Sequence, residues 1–268
     1  MNPLKPIPAH LYNTDKAQHP PHLEYYAAAF SPLCGQDIRL LELGVYQGGS
    51  LLMWRDYFPH GQIAGLDLNP VQLDDPTGRI HLYLGSQEDT SLLDRMAAEV
   101  APQGFDFIID DCSHLAGPAR ASFWHLFEYH LKPGGIYAIE DWGTGYWDRW
   151  PDGHHYQADS AAGAAPLPSE LPGWKRWLAQ RIGIPLPSAP DQRRFPSHDF
   201  GMVGFLKQLV DELAYDDITC PGWGLEPVRT SRFQKINLSH GLALIYKKSA
   251  VSSAQRMFQH IGTLPLAG

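Results

Sequence analysis

Two pairs of acidic residues end two short apolar runs of the sequence. Asp110-Asp111 follows FDFII, and Glu140-Asp141 follows IYAI. If both runs are strands of one parallel sheet, their carboxyl ends line one crevice and the acids converge there. Carboxylates held that close repel one another unless a cation neutralises them, and oxygen ligands suit Mg²⁺, Mn²⁺ or Ca²⁺ better than zinc. The pattern predicts a divalent metal site.

A histidine lies close to the first acidic pair. His114 follows Asp111 by three residues, on the loop that leaves the same strand. A neutral imidazole there could take the proton of a metal-activated hydroxyl. Each piece also has a plainer explanation, because paired acids can cap a helix and a lone histidine is more often structural. DDxxH together with ED favours the metal-and-base interpretation.

A glycine-rich turn opens the first predicted helix, in the segment ELGVYQGGS at residues 42–50. A ligand can approach the backbone closely only where side chains are absent, so Gly44, Gly48 and Gly49 are expected to form the floor of a nucleoside pocket. The spacing differs from the GxGxxG turn, which places a pyrophosphate on a helix N-terminus. The turn therefore fits a nucleoside ligand without a phosphate at this position, such as S-adenosylmethionine (SAM), better than a dinucleotide.

Two further residues fit a nucleoside. Asp67 ends the second predicted strand, where a carboxylate can accept both ribose hydroxyls. Gln87 follows the third strand, where its amide could pair with the adenine edge. Any strand-glycine-helix turn can imitate the glycine part of this signature, and Asp67 is what strengthens it.

Apolar runs and amphipathic stretches alternate along most of the chain, which is typical of an α/β fold with a parallel sheet. We expect a Rossmann-like sheet, mostly parallel, with an antiparallel closing strand. Strands are predicted at residues 39–43, 63–68, 80–84, 105–110, 136–140, 225–230 and 241–246. Helices are predicted at residues 48–58, 90–100, 118–130 and 203–213.

The chain is expected to form one domain with additions. Residues 1–36 are predicted to be a helical N-terminal cap, residues 37–248 the catalytic domain, and residues 249–268 a tail. Within the domain, residues 142–197 are rich in Pro, Gly, Trp and His and are interpreted as an inserted lid or substrate loop. Its tryptophans could stack on a sugar or simply form the core of the lid.

Composition excludes several classes of protein. A net charge of -8 argues against a nucleic-acid partner, which normally requires a surplus of Lys and Arg. No apolar stretch approaches a membrane span, and no signal peptide is recognised. Three widely spaced cysteines suggest neither disulfides nor zinc, which fits a reducing compartment. We therefore expect a cytoplasmic protein that binds a small molecule.

At these motifs the chain resembles the macrocin/mycinamicin-type O-methyltransferases, bacterial enzymes that use SAM and Mg²⁺ to methylate sugar hydroxyls of natural products. The resemblance is carried by YNTDK at residues 12–16, ELGVYQGGSLLMWRDYF at 42–58, GLDLNP at 65–70, IIDDCSH at 108–114 and LKPGGIYAIEDWGTGYW at 131–147. Two departures, Cys112 where the family often has Gly and Ser86 where it often has Asp, remove no predicted ligand.

The resemblance implies a class I SAM-methyltransferase fold with Mg²⁺ (or Mn²⁺) as its metal. It implies that Asp111, Glu140 and Asp141 ligate the metal and that His114 is the catalytic base. Together with the glycine turn it assigns cofactor binding to a wider set: Glu42, Gly44, Tyr46, Gly48, Gly49, Ser50, Asp67, Gln87 and Asp110.

The expected function is O-methylation of a small hydroxylated acceptor, with a glycosylated natural product favoured and a homo-oligomer implied by the resemblance. Two alternatives stay open: a SAM-binding accessory protein or isomerase that does not methylate, and a nicotinamide-dependent oxidoreductase. The YNTDK patch could fold over the cofactor, form a subunit contact, or belong to an ordinary amphipathic helix.

Overall fold

The computed structural model describes residues 4–147, 149–154, 199–222 and 225–249. Most of the predicted lid at 142–197 and nearly all of the predicted tail at 249–268 lie outside the described residues.

Within the described ranges, seven strands form one sheet. They are β1 (Arg39–Leu43), β2 (Gln62–Asp67), β3 (Ile80–Leu84), β4 (Phe105–Asp110), β5 (Leu131–Glu140), β6 (Phe233–Ser239) and β7 (Leu242–Lys247). Their spatial order is β3-β2-β1-β4-β5-β7-β6. The first five pair in parallel, whereas β7 runs antiparallel to β5 and β6. The expected mostly parallel sheet with an antiparallel closing strand is confirmed.

The strand register brings the acidic residues to one edge of the sheet. Leu43 of β1 pairs with Asp110 of β4, and Asp110 pairs with Ile139 of β5. The residues that follow these three, including Asp111 and Glu140, therefore lie side by side at the carboxyl ends of the strands. Because β1 lies between β2 and β4, this edge is the point where the strand order reverses and where such sheets bind ligands.

Six α-helices are described: α1 (Pro20–Phe30), α2 (Gly49–Tyr57), α3 (Thr90–Val100), α4 (Ala116–His125), α5 (Gly201–Leu213) and α6 (Tyr215–Thr219). Residues of α3, α4 and α5 form a core with one face of the sheet, and residues of α1 and α2 form another with the opposite face. Successive strand residues alternate between the two cores, as the pleat requires. In the described part of the chain, no helix combines the length and apolar character needed to cross a membrane.

Three elements differ clearly from the sequence prediction. Strand β5, predicted at 136–140, begins at Leu131. The helix predicted at 118–130 is α4 followed by a π-helical turn at Leu126–His130. The strand predicted at 225–230 is wrong, because the closing edge strand is β6, which begins at Phe233. Most of β6 is solvent-exposed and polar, whereas Leu225 and Val228 are apolar but 59% and 82% exposed. The predicted segment instead forms an exposed connection that leads into β6.

The segment before β1 contributes to the core. Phe30, the last residue of α1, is 1% exposed, and its ring centroid lies 4.1 Å from Phe107 of β4 and 5.5 Å from Trp54 of α2. Tyr26, one helical turn earlier, lies 5.5 Å from the same tryptophan. Helix α1 is thereby held against the sheet.

This packing can be tested by truncating one ring. Phe30→Ala should lower the free energy of unfolding by about 3–5 kcal/mol, because it leaves a cavity among aromatic rings. The measurement is urea denaturation followed by circular dichroism. Tyr25→Ala is the control on the same helix, since Tyr25 is 46% exposed, and it should change stability by about 0.5 kcal/mol or less. Equal effects of the two substitutions would contradict the packing of α1.

Candidate active site

A cleft lies at the carboxyl ends of β1, β2 and β4, and it has two adjoining parts. The larger cavity is about 660 Å³ and is bordered by Asp67 and Gln87, among others. The smaller, about 300 Å³, is bordered by His114 and by the backbone segment that contains Asn13. Four residues border both cavities: Gly44, Tyr46, Gln47 and Asp111. The two cavities therefore share a wall.

The glycines of the turn are required by contacts within the protein. A Cβ on Gly44 would lie 2.1 Å from the carbonyl oxygen of Asp111, and one on Gly49 would lie 1.9 Å from that of Asn13. Gly44 also has a φ of 80°. Gly44 borders both cavities, as expected for a pocket floor, but its immediate role is to let the strand ends and the N-terminal segment approach.

The other two predicted residues of the turn have different surroundings: Tyr46 borders the cavities, and Gly48 packs against Leu73. Tyr46, with a φ of 49°, is 81% exposed and borders both cavities. Gly48 borders neither of them, and its missing side chain leaves room for Leu73, whose Cδ2 would lie 2.6 Å from an added Cβ. Of the predicted glycines, Gly44 and Gly49 thus reach the cleft.

Asp67 lies in the larger cavity and also holds the glycine turn. Its Oδ2 accepts hydrogen bonds from the backbone N–H groups of Val45 and Tyr46, each at 3.0 Å. Its Oδ1 accepts one from the backbone N–H of Asn69 at 2.9 Å. The predicted ribose-binding carboxylate is therefore fixed in place by backbone donors.

Gln87, at the wall of the larger cavity, pairs with the more deeply placed Asp110. The Gln87 amide donates to Asp110 Oδ1 at 3.2 Å and to Ser122 Oγ at 3.0 Å, and it accepts from the Ser113 backbone N–H at 3.2 Å. Both amide N–H groups are thus engaged, and the carbonyl oxygen of Gln87 keeps one lone pair that could accept from the adenine amino group. Asp110 borders neither cavity of the cleft, and burial raises the pKa of its carboxyl to about 6.

A buried lysine lies at the centre of the strand ends. The Lys16 ammonium is 2.6 Å from Asp111 Oδ2, 2.7 Å from Glu140 Oε1 and 3.3 Å from Glu42 Oε1. The Tyr26 hydroxyl also donates to Glu140 Oε1, at 2.7 Å. We call Lys16, Glu42, Asp111 and Glu140 the lysine cluster. Three buried carboxylates here face one ammonium.

The charges of the lysine cluster affect one another strongly. Burial opposes the charge of Lys16, but Asp111, Glu140 and Glu42 raise the pKa of its ammonium well above the usual value. Burial opposes ionisation of Glu140 as well, yet Lys16 lowers the pKa of that carboxyl. Burial raises the pKa values of Glu42 and Asp111. The carboxyl groups outnumber the single ammonium, and a second cation nearby would favour their ionised forms.

Glu42 is part of the interior. Its Oε2 accepts a hydrogen bond from Ser50 Oγ at 2.7 Å, and its Oε1 has only the lysine contact, without hydrogen-bond geometry. The side chain is 0% exposed and borders neither cavity, whereas Ser50 borders the smaller one. Both were predicted to bind the cofactor, and the structure brings only Ser50 to the cleft.

A second group, the outer cluster, consists of Asp111, His114 and Asp141. One possible ligand atom from each lies within 4.8 Å of the others. His114 Nε2 is 3.8 Å from Asp111 Oδ1 and 3.9 Å from Asp141 Oδ2. Asp111 belongs to both clusters, with one oxygen on Lys16 and the other toward the histidine. Two carboxyl groups directed at one point provide the oxygen ligands that a hard divalent cation prefers.

The predicted metal ligands are consequently split. Asp111 and Asp141 belong to the outer cluster, whereas Glu140 directs one oxygen to Lys16 and Tyr26. The ligand role of Glu140 stays a prediction.

Hydrogen bonds to its backbone carbonyl fix the position of His114. Its φ is 49°, a left-handed conformation that costs energy in a residue with a side chain. Its carbonyl accepts hydrogen bonds from Thr144 Oγ1 at 3.1 Å and from Trp150 Nε1 at 2.9 Å. Burial lowers the pKa of the imidazole, and Asp141 opposes this. The ring is therefore kept neutral and available to accept a proton.

Sequence reasoning did not assign two of these residues. Lys16 is predicted only as part of the YNTDK patch, and Trp150 is one of the tryptophans of the predicted lid. A signal for Lys16 did exist, because three predicted carboxylates at one edge require a cation from somewhere. Nothing in the sequence indicates that the cation comes from more than 90 residues away, as the Lys16–Asp111 separation shows.

The lysine cluster leads to a stability prediction. Lys16→Met should lower the free energy of unfolding by about 3–5 kcal/mol, because it leaves buried carboxylates without their cation. Urea denaturation in the absence of divalent metal measures this. Lys207→Met is the matched control, because Lys207 pairs with an exposed Asp199 and such pairs contribute about 0–1 kcal/mol. A Lys16→Met loss as small as the control's would show that Lys16 does not neutralise the cluster.

Comparisons with known proteins agree with the motifs. Mycinamicin VI 2''-O-methyltransferase of Micromonospora griseorubida is 43% identical over 130 residues, which cover 46% of this chain and 32% of that protein. A tetracenomycin-pathway enzyme of Streptomyces olivaceus, 8-demethyl-8-(2-methoxy-alpha-L-rhamnosyl)-tetracenomycin-C 3'-O-methyltransferase, is 40% identical over 175 residues, 62% of this chain and 44% of that protein. The match spans less than half the length of these relatives. No family model matches the chain.

A solved structure extends the comparison to nearly the whole chain. The MycE methyltransferase of the mycinamycin biosynthetic pathway, solved in complex with Mg and SAH, superposes with a TM-score of 0.58 at 27% identity. The superposition covers 98% of this chain and 61% of MycE. The chain therefore has the class I SAM-methyltransferase fold, and its sequence is similar to the macrocin and mycinamicin type of O-methyltransferase.

Proposed function

We propose that this protein is a SAM- and divalent-metal-dependent O-methyltransferase that acts on a sugar hydroxyl of a glycosylated natural product. The proposal concerns the activity of the whole protein. Its support is the geometry of the cleft together with the similarity to sugar O-methyltransferases.

One observation carries the proposal: the predicted cofactor cavity shares a wall with the smaller cavity, where Asp111 and His114 of the outer cluster lie. Gly44, Tyr46, Gln47 and Asp111 border both cavities, and His114 borders the smaller one. A methyl donor in the larger cavity would therefore meet an acceptor in the smaller one beside the acid and the imidazole. Holding two reactants in contact in this way accounts for much of the rate of a transfer reaction.

The outer cluster is the proposed metal site. Asp111 and Asp141 would hold the cation, with Glu140 as the third predicted ligand. A divalent cation at this position supplies Lewis acidity, which lowers the pKa of an acceptor hydroxyl. Lys16 holds the inner oxygen of Asp111 at 2.6 Å, so the outer oxygen of that carboxylate keeps a fixed direction toward the cleft.

His114 is the proposed base. Its neutral Nε2 takes the hydroxyl proton as the acceptor oxygen forms a bond to the methyl carbon and the bond between that carbon and sulfur breaks. The sulfonium of SAM supplies the electrophilic methyl group. The bonds from Thr144 and Trp150 to the His114 carbonyl keep the ring at the cavity wall.

The acceptor and the assembly are also proposals. The names of two similar enzymes place their methylation on positions 2'' and 3' of glycosylated products, which supports a sugar hydroxyl here. A homo-oligomer is supported by the resemblance and by Leu82 and Leu84, which are 39% and 60% exposed on β3 at the sheet edge. Light scattering after size-exclusion chromatography tests it. Three unpaired cysteine thiols are consistent with the proposed cytoplasmic location.

Calorimetry tests the cofactor and the metal. The purified protein should bind SAM and also Mg²⁺, and it should not bind NAD⁺. Asp111→Asn should weaken Mg²⁺ binding at least tenfold, because the substitution removes the charge of the carboxylate shared by both clusters. Asp211→Asn is the control, since Asp211 is exposed on α5.

Each contrary result has a distinct meaning. Binding of NAD⁺ instead of SAM would overturn the cofactor assignment. Binding of SAM without a metal site would favour a SAM-binding protein that does not methylate.

The base assignment is tested by turnover. With SAM, Mg²⁺ and a panel of glycosylated acceptors such as mycinamicin VI and 8-demethyl-8-alpha-L-rhamnosyl tetracenomycin C, His114→Ala should lower kcat by about 10²–10⁴-fold. Its Kd for SAM should stay within about twofold of the parent, because His114 does not border the larger cavity. His60→Ala, an exposed histidine, is the control. Normal turnover of His114→Ala would exclude His114 as the base.

A further inference from the structure

We propose that Asp94, His125 and His130 form a second metal site, which binds a transition-metal ion such as Zn²⁺ and lies apart from the cleft. The proposal does not depend on the methyltransferase activity. These three residues belong to α3, to the end of α4 and to the π-helical turn that follows it.

The three side chains converge on one point. His125 Nε2 lies 2.7 Å from Asp94 Oδ1, and His130 Nε2 lies 2.6 Å from the same oxygen. One possible ligand atom from each residue is within 4.8 Å of the others. The two imidazoles are 17% and 19% exposed, and their ring centroids are 5.3 Å apart. The short distances are those of hydrogen bonds, so the three side chains are gathered without an ion. With zinc bonds of about 2.0–2.1 Å, the exposed Asp94 carboxylate would have to move outward to admit the ion.

The π-helical turn explains why the histidines meet. In an α-helix, residues five apart point about 140° away from each other around the axis, since each residue turns about 100°. The π turn at Leu126–His130 adds a residue to the turn and brings positions i and i+5 to one face. His125 and His130 are separated by five positions, so this turn is what presents both rings to Asp94. Such turns are frequent at functional sites.

The turn is stabilised without any metal. The end of the turn leaves backbone carbonyl groups without helical donors. The Lys247 ammonium of β7 donates to the carbonyls of Phe127, Glu128 and Leu131 at 2.5, 3.1 and 2.8 Å. The buried rings of the turn pack as well, with Phe127 4.9 Å from Phe233. The turn that carries His130 is therefore already formed, and metal binding does not have to fold it.

The type of ligand indicates the type of metal. Two imidazole nitrogens with one carboxylate oxygen suit zinc and its neighbours in the first transition row, whereas Mg²⁺ prefers oxygen ligands. Three protein ligands leave a position for water, as in open zinc sites. The contrast with the outer cluster, which has two carboxylates and one imidazole, predicts different metal selectivity at the two places.

The position of the site defines its role. His130 immediately precedes β5, so it lies at the amino ends of the strands, whereas Asp141 follows the other end of β5 at the cleft. A surface cavity of about 650 Å³, bordered by Asp94 and His130, gives the ion access. An ion here would link α3 to the turn that leads into β5. We therefore infer a structural metal that stabilises the fold and does not take part in methyl transfer.

The test is titration of metal-free protein with Zn²⁺, followed by calorimetry and by thermal unfolding. The Asp111→Asn variant serves as the parent, so that binding at the outer cluster does not obscure the result. It should bind Zn²⁺, and a hundredfold excess of Zn²⁺ over Kd should raise Tm by about 5–10 °C. His125→Ala and His130→Ala, made in this parent, should each weaken this binding at least about 100-fold, more than loss of an outer-shell partner does. His60→Ala should not.

Cobalt gives a second readout. Co²⁺ in place of Zn²⁺ should show visible absorption bands of a low-coordinate nitrogen and oxygen site, and these should vanish in His130→Ala. If the Asp111→Asn parent binds neither ion, or if binding persists in both histidine variants, the proposal is wrong and the cluster is only a hydrogen-bonded link between helices. Circular dichroism of each variant without metal verifies that the fold is intact. Lys247→Met loosens the turn without removing a ligand, so it should weaken Zn²⁺ binding less than His130→Ala.

Discussion

The candidate active site depends on the burial of the Lys16 ammonium among Glu42, Asp111 and Glu140. Parallel strands that end at one level bring carboxylates together, and their repulsion in a site away from water is costly. A cation carried by the N-terminal segment offsets that repulsion on the inner side. On the outer side, the other oxygen of Asp111 and the Asp141 carboxylate face His114 and are available to a cation. The same lysine therefore holds the N-terminal segment in place and divides the acids into two groups with different roles.

Close approach of the backbone is the second constraint. The carboxyl ends of the strands and the N-terminal segment can come together only because Gly44 and Gly49 have no side chains. A side chain there would collide with the carbonyl groups of Asp111 and Asn13. His114 and Asp141 both adopt left-handed backbone conformations, with φ of 49° and 51°. Surrounding hydrogen bonds hold them there, among them the bond from the Asp141 N–H to the Gly241 carbonyl at 2.7 Å. Strain of this kind persists where the structure around it is rigid, and it aims side chains that a relaxed loop would leave mobile.

The two edges of the sheet are organised by different chemistry. At the carboxyl ends, several carboxyl groups surround one lysine. At the amino ends, a π-helical turn gathers two imidazoles on Asp94, and Lys247 satisfies the carbonyls that the turn leaves open. Strand β5 joins the two edges, since His130 precedes it and Asp141 follows it. Packing of Phe123, Phe127 and Phe233 between the helices and the sheet makes this part of the fold rigid.

The sequence alone was sufficient for most of the elements and for the location of the cleft, because hydrophobic periodicity and turn residues are local signals. Strands β1, β3 and β4 and helix α3 have the predicted bounds, and Asp67, Asp111 and His114 lie at the predicted edge. Only the tertiary structure decided which carboxylate faces which cation, because Lys16 and Glu140 are separated by 124 residues. It also decided that Gln87, at the wall of the cleft, bonds to the more deeply placed Asp110. Pairings of this kind depend on distances between strand ends, which no local pattern encodes.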